Sequence, residues 1–431
     1  MRAVQRGQVL PLAVFSLFVC ALFLYFAVTS GQWVDNKIRV LNAADAAAYS
    51  AATVEARGLN FTAYANRAII ANQVAIAQAL SVASWTNYFA DMWINLDQAT
   101  ERLGDLIPPD DLLRWSQLQA TLVGEAYATA YGGVDPREIA QYVNYAAGAI
   151  ITASDLASQG LQLSESAVRQ SLRGAEFAGS PARQLVLAQE AARIASPQAR
   201  VAIVPVTHDF DRVVSHYDGG ARERLADVIR RSRDDFTRRR EWTLRSLLGF
   251  LGSKRIERRG GTDLVDLDHW QGLDDATYRS SGGLFSGSTT DTFAAGYARV
   301  GGTPLSGSGS AEYYLPALYT GLPSVYDIDR SITAEPRPGI STYVWAPAPA
   351  SAAPPSVGPG GRLAVFSGPG ARREVAALSR AEVFFERPDA RADGREERGS
   401  TYDPYWRVRL VPPVLGDRAF AATRQGGVWQ P

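Results

Sequence analysis

Hydrophobic positions dominate the start of the chain: Val9 to Thr29 reads VLPLAVFSLFVCALFLYFAVT, and no charged residue falls between Gly7 and Val34. A helix needs roughly 20 apolar residues to cross a bilayer, so this segment is expected to span one. Pro11 lies near the start of the run, where a missing backbone donor costs least. Arg2 and Arg6 precede the run and Asp35 and Lys37 follow it. The positive-inside bias therefore keeps the N-terminus cytoplasmic and puts everything after about residue 31 outside the cytoplasmic membrane. A cleaved secretory signal has a shorter apolar core ending in a small-x-small site, and Ala27-Val28-Thr29 is a poor one, so a retained anchor is expected.

The pattern then changes from uniformly apolar to small. GQWVDNKIRVLNAADAAAYSAATVEARG, from Gly31 to Gly58, holds strong helix formers and no Pro, with Gly58 as a natural C-terminal stop. Membrane helix and Ala-rich helix can run on as one rod from about residue 8 to 57, roughly 75 Å long. Ala43, Ala44, Ala47, Ala48, Ala51 and Ala52 form a flat strip that another helix can approach closely. Asn42 and Asp45 lie three residues apart and either bond across a partner interface or belong to a solvated polar face. The expected helix-packing interface is Asn42, Ala44, Asp45, Ala47, Ala48 and Ala51.

Further along, Trp85, Tyr88, Phe89, Met92, Trp93 and Leu96 recur at helical spacing, read as an aromatic core stripe. Helices are predicted over about 112–131, from Asp135-Pro136 to about Gly174, from Ser180-Pro181 to Ser196-Pro197, and over Ala221–Leu251. A short apolar strand is predicted at Val201–Val206. Beyond Gly260 come short runs rich in Tyr, Thr, Val and Phe, broken by Gly, Ser and Pro: Ala311–Leu315, Thr342–Trp345, Arg362–Phe366, Glu382–Phe385 and Trp406–Val411. The predicted fold class is α+β: a single transmembrane helix continuing into an Ala-rich helix, a helical middle and a mostly antiparallel β region. The predicted organisation is a cytoplasmic tip and span over 1–30, a mainly helical region over 31–259, and a β-rich region over 260–431 with a Pro/Gly/Ala-rich loop at 346–361.

Composition narrows the functional classes. The 44 Lys and Arg balance 44 Asp and Glu, and 46% of residues are hydrophobic, which disfavours wholesale disorder and a generally basic nucleic-acid-binding chain. One stretch departs from balance, since Gly220 to Arg259 carries 13 Arg or Lys against 6 Asp or Glu. That is either a solvated helix face or a surface for an acidic partner or anionic lipid. The single cysteine, Cys20, falls inside the apolar run and reads as a small apolar filler.

Candidate chemistry is sparse. No Gly-x-Ser-x-Gly, Walker A loop, Gly-x-Gly-x-x-Gly or His-Glu-x-x-His occurs. His208, Asp209, Asp211 and His216 form the only dense His/Asp group, read as a turn rather than a metal site. Asp266 and Asp268 share a strand phase that Asp263 does not, and a polar edge strand is the better reading than paired catalytic or calcium-binding carboxylates. Asp329-Arg330-Ser331-Ile332-Thr333 is a loose form of the Asp-x-Ser-x-Ser metal-adhesion loop, with Pro336 and Pro338 close behind. No catalytic, cofactor-binding or metal residue is assigned, and neither nucleic acid nor a small-molecule substrate is expected as a partner.

Two stretches, RGQVLPLAVFSLFVCALFL and LNAADAAAYSAA, together spanning about residues 6 to 57, resemble the N-terminal signature of TadE/TadG-like proteins of the Flp (tight-adherence, Tad) pilus-assembly system. AEVFFERP at Ala381–Pro388 and YDPYWRVRLVPP at Tyr402–Pro413 are similar in style to the closing segment of such proteins. The resemblance implies a non-enzymatic, pilin-like component, a minor pilin or assembly factor, in the bacterial inner membrane with a periplasmic or exported bulk. It also implies partners among other pilin-like and Tad assembly proteins, met through the N-terminal helix. Pilin-like processing would cut after a Gly such as Gly7 and use a Glu five residues into the mature chain, where this sequence has Leu12. The alternative reading is a membrane-anchored envelope binding protein or adhesin unrelated to pili.

Overall fold

The computed structural model describes residues 9–104, 106, 116, 135–173, 183–204, 214–216, 220–245, 253–281, 288–301, 314–328, 337–347, 374–394 and 398–424. The chain is α+β, with one long N-terminal helix, helices in the middle and antiparallel sheets in the C-terminal part. Helix α1 (Val9–Ile94) is followed by α2 (Leu96–Gly104), α3 (Pro136–Arg173) and α4 (Arg183–Ala195). Strands β1 (Arg200–Ile203) and β2 (Val214–His216) precede α5 (Gly220–Ser232) and the single turn α6 (Asp235–Arg238). Then come β3 (Trp242–Arg245), β4 (Ser253–Asp266), β5 (His269–Ser281), β6 (Thr289–Val300), β7 (Tyr326–Ile328), β8 (Gly339–Pro347), β9 (Glu374–Phe385), β10 (Trp406–Val411) and α7 (Leu415–Arg424).

These elements form two compact units, one from 1–64, 165–215 and 327–431, the other from 65–164 and 216–326. The organisation expected from the sequence divides the chain at residue 260, and both units contain residues on either side of it. A sheet buries its apolar face only by packing on another element, so each unit joins a sheet to helices distant in sequence.

The first unit is built on the antiparallel sheet β1-β8-β9-β10, with Val201 opposite Val344, Thr342 opposite Ser379 and Val383 opposite Val408. Side chains alternate across it. Ile340 and Val344 of β8 and Ala377 and Ala381 of β9 join the small residues of α1 in one core. Tyr343 and Ala376 point the other way and pack with Ala421 of α7. Both faces are covered, and for that reason β8 is buried almost throughout instead of alternating. Asp417, fully buried on α7, lies 3.7 Å from Arg380 and accepts the Val414 backbone N–H at 3.0 Å, which fixes the start of that helix.

The second unit is built on the hairpin-linked sheet β3-β4-β5-β6. The C-terminal part of α1 lies against it, from Gln73, which accepts the Trp270 indole N–H at 3.2 Å, onwards, and the contact depends on missing side chains. A Cβ on Gly296 of β6 would stand 2.1 Å from the Tyr88 nitrogen and 2.2 Å from the Ser84 carbonyl oxygen, so helix and strand meet backbone to backbone only because that residue is Gly. Tyr88, Ile256, Ala276, Tyr278 and Phe293 fill the core beside this contact.

Several local expectations change. Gly58 does not stop α1, which runs on to Ile94. Gly costs only about 1 kcal/mol inside a helix, and Gly58 is buried within α1. The helix predicted over Ala221–Leu251 ends at Ser232, because Trp242–Arg245 pairs with Arg255–Arg258 as a strand. The aromatic stripe divides: Tyr88 is buried, whereas Trp85 and Phe89 are about two-fifths exposed and stack on each other at 5.8 Å. Of Ala311–Leu315 only Tyr314 makes a bridge among the described residues, to Arg299. Most of the predicted helix over 112–131, the strand at Arg362–Phe366 and residues 348–361 of the loop lie outside the described residues.

Candidate functional site

The apolar run lies on α1, where no side chain from Leu10 to Gln32 is buried, and Leu12 and Phe23 keep about 70% of their surface open. So much apolar surface on one helix is unfavourable in water and suited to lipid. Among the described residues α1 is the one helix long and apolar enough to cross a membrane. The hydroxyls of Ser16 and Thr29 are satisfied within the helix, as a lipid environment favours. Ser16 Oγ donates to the Ala13 carbonyl at 2.9 Å and Thr29 Oγ1 to that of Tyr25 at 2.8 Å. Cys20 is exposed on the same segment.

Burial begins at Trp33 and continues through Lys37, Val40, Ala44, Ala47 and Ala51, alternating four and three residues apart. Ala43, Ala48 and Ala52 widen this seam, and every alanine in it is fully buried. The covering surface is the chain's own. Ala188 and Ala192 of α4 and Val344 and Ala377 of the sheet belong to the same core. Thr342 Oγ1 donates to the Ala44 carbonyl at 3.1 Å, and Ser379 Oγ to Asp45 Oδ1 at 2.6 Å. Of the six residues expected to form a helix-packing interface, Ala44, Ala47, Ala48 and Ala51 sit in this internal seam, Asp45 bonds at its edge and Asn42 is exposed. The small residues were legible as a close-approach surface, but their occupant was not, because β8 and β9 lie some 300 residues downstream.

Lys37 was not singled out by its sequence context. It is 5% exposed, and its ammonium donates to the Ala376 carbonyl. In β9 the pairing with β10 covers only Arg380–Phe385, so Lys37 supplies a donor where the strand has lost its neighbour. Burial pushes its pKa down to about 8.

The basic stretch has a comparable use in the second unit. Strand β3 pairs only with Arg255–Arg258 of β4, leaving the rest of that edge open. The Gly260 carbonyl accepts the Arg240 backbone N–H at 2.7 Å, that of Thr262 the Arg233 guanidinium, and that of Leu264 the Arg230 guanidinium at 3.1 Å. Every second carbonyl of the edge is capped by this arginine-rich segment. Arg240 also reaches inward with a forked pair of bonds to Asp274, 2.9 Å from Nε and 2.7 Å from Nη2. Asp274 is fully buried, bonds Ser84 Oγ at 2.8 Å and lies 3.3 Å from Arg258. A buried carboxylate held by two guanidiniums is a structural clamp with no free valence for chemistry.

The remaining candidates separate. Asp268 pairs with Arg222 at 2.5 Å, Asp266 with His269 at 2.6 Å and Asp263 with Arg233 at 3.1 Å. Leu267 and Asp268 form the β4–β5 turn, closed by the Asp268 backbone N–H donating to Asp266 at 2.8 Å. His208, Asp209, Asp211 and residues 329–333 lie outside the described residues, and His216 falls on β2. No group of three or more His, Cys, Asp or Glu able to hold a metal occurs among the described residues.

An exposed apolar helix that continues into a folded unit fits a membrane-anchored protein. Residues 7–54, the apolar stretch together with the alanine seam, match the Tad family model, described as putative Flp pilus-assembly TadE/G-like. That match supports a pilus-related role, in a family that is typically structural. No curated protein and no solved structure matches the chain.

Proposed function

We propose that the protein is a non-enzymatic, single-pass, pilin-like component of a Tad/Flp-type pilus, acting as a minor pilin or an assembly factor. In this reading the N-terminus is cytoplasmic and the two folded units lie on the periplasmic side of the inner membrane. The observation that carries it is the coincidence of the family match with the wholly exposed apolar stretch of α1. Since the alanine seam is occupied by the chain's own sheet, the contact with other pilin-like and Tad assembly proteins is assigned to the membrane segment of this helix, none of whose side chains is buried. Within lipid, packing and small residues drive helix association, and Ala13, Ser16, Cys20 and Ala21 provide close-approach positions on that segment.

The test is a count of surface filaments by electron microscopy in a deletion strain, with and without a complementing copy tagged near residue 395. Loss and restoration of filaments is expected. Tag signal on sheared filaments marks a minor pilin, and tag signal confined to the cell body marks an assembly factor. An unchanged filament count overturns the pilus reading in favour of an envelope binding protein.

A further inference from the structure

Helix α3 carries two apolar faces, and within the second unit only one of them is covered. On the inner face Ile151 and Asp155 are buried. Asp155 accepts the Thr320 hydroxyl at 3.0 Å and the Thr320 backbone N–H at 3.2 Å, and burial raises its pKa. On the outer face Tyr142 and Leu163 keep 75% and 71% of their surface open, with Ile139, Tyr145, Ile150 and Leu156 each about half exposed. From Ile139 to Ser164 the only charged residue is the buried Asp155. A helix apolar on all sides belongs in an interior, yet α3 does not qualify as a membrane span.

The outer face has the period of a helix-pairing seam. Apolar residues recur at 139, 142, 146, 149, 153, 156, 160 and 163, strict three-four spacing over roughly three and a half heptads, enough for a coiled coil. Each of them is exposed, and Gly160 has nothing within 4 Å of where a Cβ would stand. Large and small residues are distributed so that the seam fits its own reverse. Turned end for end about the midpoint between Ala149 and Ala153, it sets Tyr142 against Gly160 and Leu156 against Ala146. Ile139 then meets Leu163, and Ala149 meets Ala153 at the axis. A parallel pairing would set Tyr142 on Tyr142 and Gly160 on Gly160, crowding one layer and emptying another. Antiparallel helices also align their dipoles favourably. Covering the six large side chains on two copies would remove on the order of 1,000 Å² from water, the lower bound for a specific interface.

The geometry points to a second copy of this chain as the occupant: the α3 outer face pairs antiparallel with the same face of another protomer, in a register centred between Ala149 and Ala153. This inference does not depend on the pilus reading. The full chain purified in detergent is expected at twice the protomer mass by light scattering, and Leu156→Arg, a change at an exposed position, is expected to return it to one. A cysteine-free background, Cys20→Ser, allows the register to be read directly. Copies with Ala149→Cys mixed with copies with Ala153→Cys are expected to form a disulfide-linked dimer at least ten-fold more than either alone. This second readout needs no disruptive side chain and so survives a folding failure of the Leu156 variant. A monomer at all concentrations, a dimer indifferent to Leu156→Arg, or self-linking of Ala149→Cys in preference to the mixture would overturn the proposal. Solvent protection of this face in a monomer would also overturn it.

Discussion

Replacing Ala44, Ala47 and Ala51 by Leu separates two uses of the alanine strip. If the strip faced a partner, the variant would fold normally and fail only in assembly. All three residues are fully buried against the chain's own sheet and α4, so each new side chain must fit into closed packing. Overpacking a filled site costs about 1–3 kcal/mol. The helix cannot simply retreat, because Thr342 is bonded to the Ala44 carbonyl, Ser379 to Asp45, and Asn60 to both the N–H and the carbonyl of Trp406 at 3.0 Å. Neighbouring insertions share any relaxation and do not add fully, which puts the triple variant at about 3 kcal/mol or more, a large part of a typical domain's 5–15 kcal/mol. The assay is urea unfolding of the full chain in detergent, followed through tryptophan fluorescence, with Tyr49→Leu as a control at a half-exposed position on the same helix. A fall in the midpoint for the triple variant alone is expected. A triple variant within about 0.5 kcal/mol of wild type would refute the internal seam and return the strip to the role of a partner interface.

Gly296→Ala is expected to destabilise the second unit by about 3 kcal/mol or more, since its Cβ would meet helix backbone; amide hydrogen exchange across β5 and β6 reads the loss. Asp274→Ala leaves Arg240 and Arg258 without their shared carboxylate and is expected to cost about 3–5 kcal/mol, measured as a shift in thermal midpoint; a loss below about 1 kcal/mol would show that the clamp is dispensable. Burial holds the Lys37 pKa down at about 8 in the folded chain, against the ordinary 10.5 when unfolded, so between those values the unfolded chain holds a proton that the folded chain lacks. Stability should therefore rise with pH across that window, by up to about 3 kcal/mol, and the component present above 10.5 should be lost as the pH falls through 8. Lys37→Met removes this component, so the difference between wild type and variant must depend on pH there; a constant difference would place Lys37 in solvent.

Much of the architecture could be read from residue patterns with local causes. The long apolar helix, the α3 start at Asp135-Pro136 and the strands at Thr342–Trp345 and Trp406–Val411 each follow from composition or periodicity within one segment. What failed to show was decided by partners distant in sequence. Trp242–Arg245 has helix-compatible neighbours but is drawn into a strand by β4, and Gly58 reads as a stop although α1 runs through it to Ile94. The arginines after residue 220 read as a solvated helix face or a docking surface because nothing local reveals that β4 has bare carbonyls to cap. The candidate site shows the same division: its small residues were recognisable at once, and the sheet that covers them was not.

The central claim is that the exposed apolar stretch of α1 serves in pilus assembly and is more than a tether. It is tested most directly by replacing residues 10–29 with a polyleucine segment of equal length and counting filaments in a strain that carries only this copy. Polyleucine still spans the bilayer, and none of the replaced side chains is buried in the fold. Membrane insertion at the normal level with filaments absent is the expected result. A wild-type number of filaments on cells whose anchor is polyleucine would contradict the account.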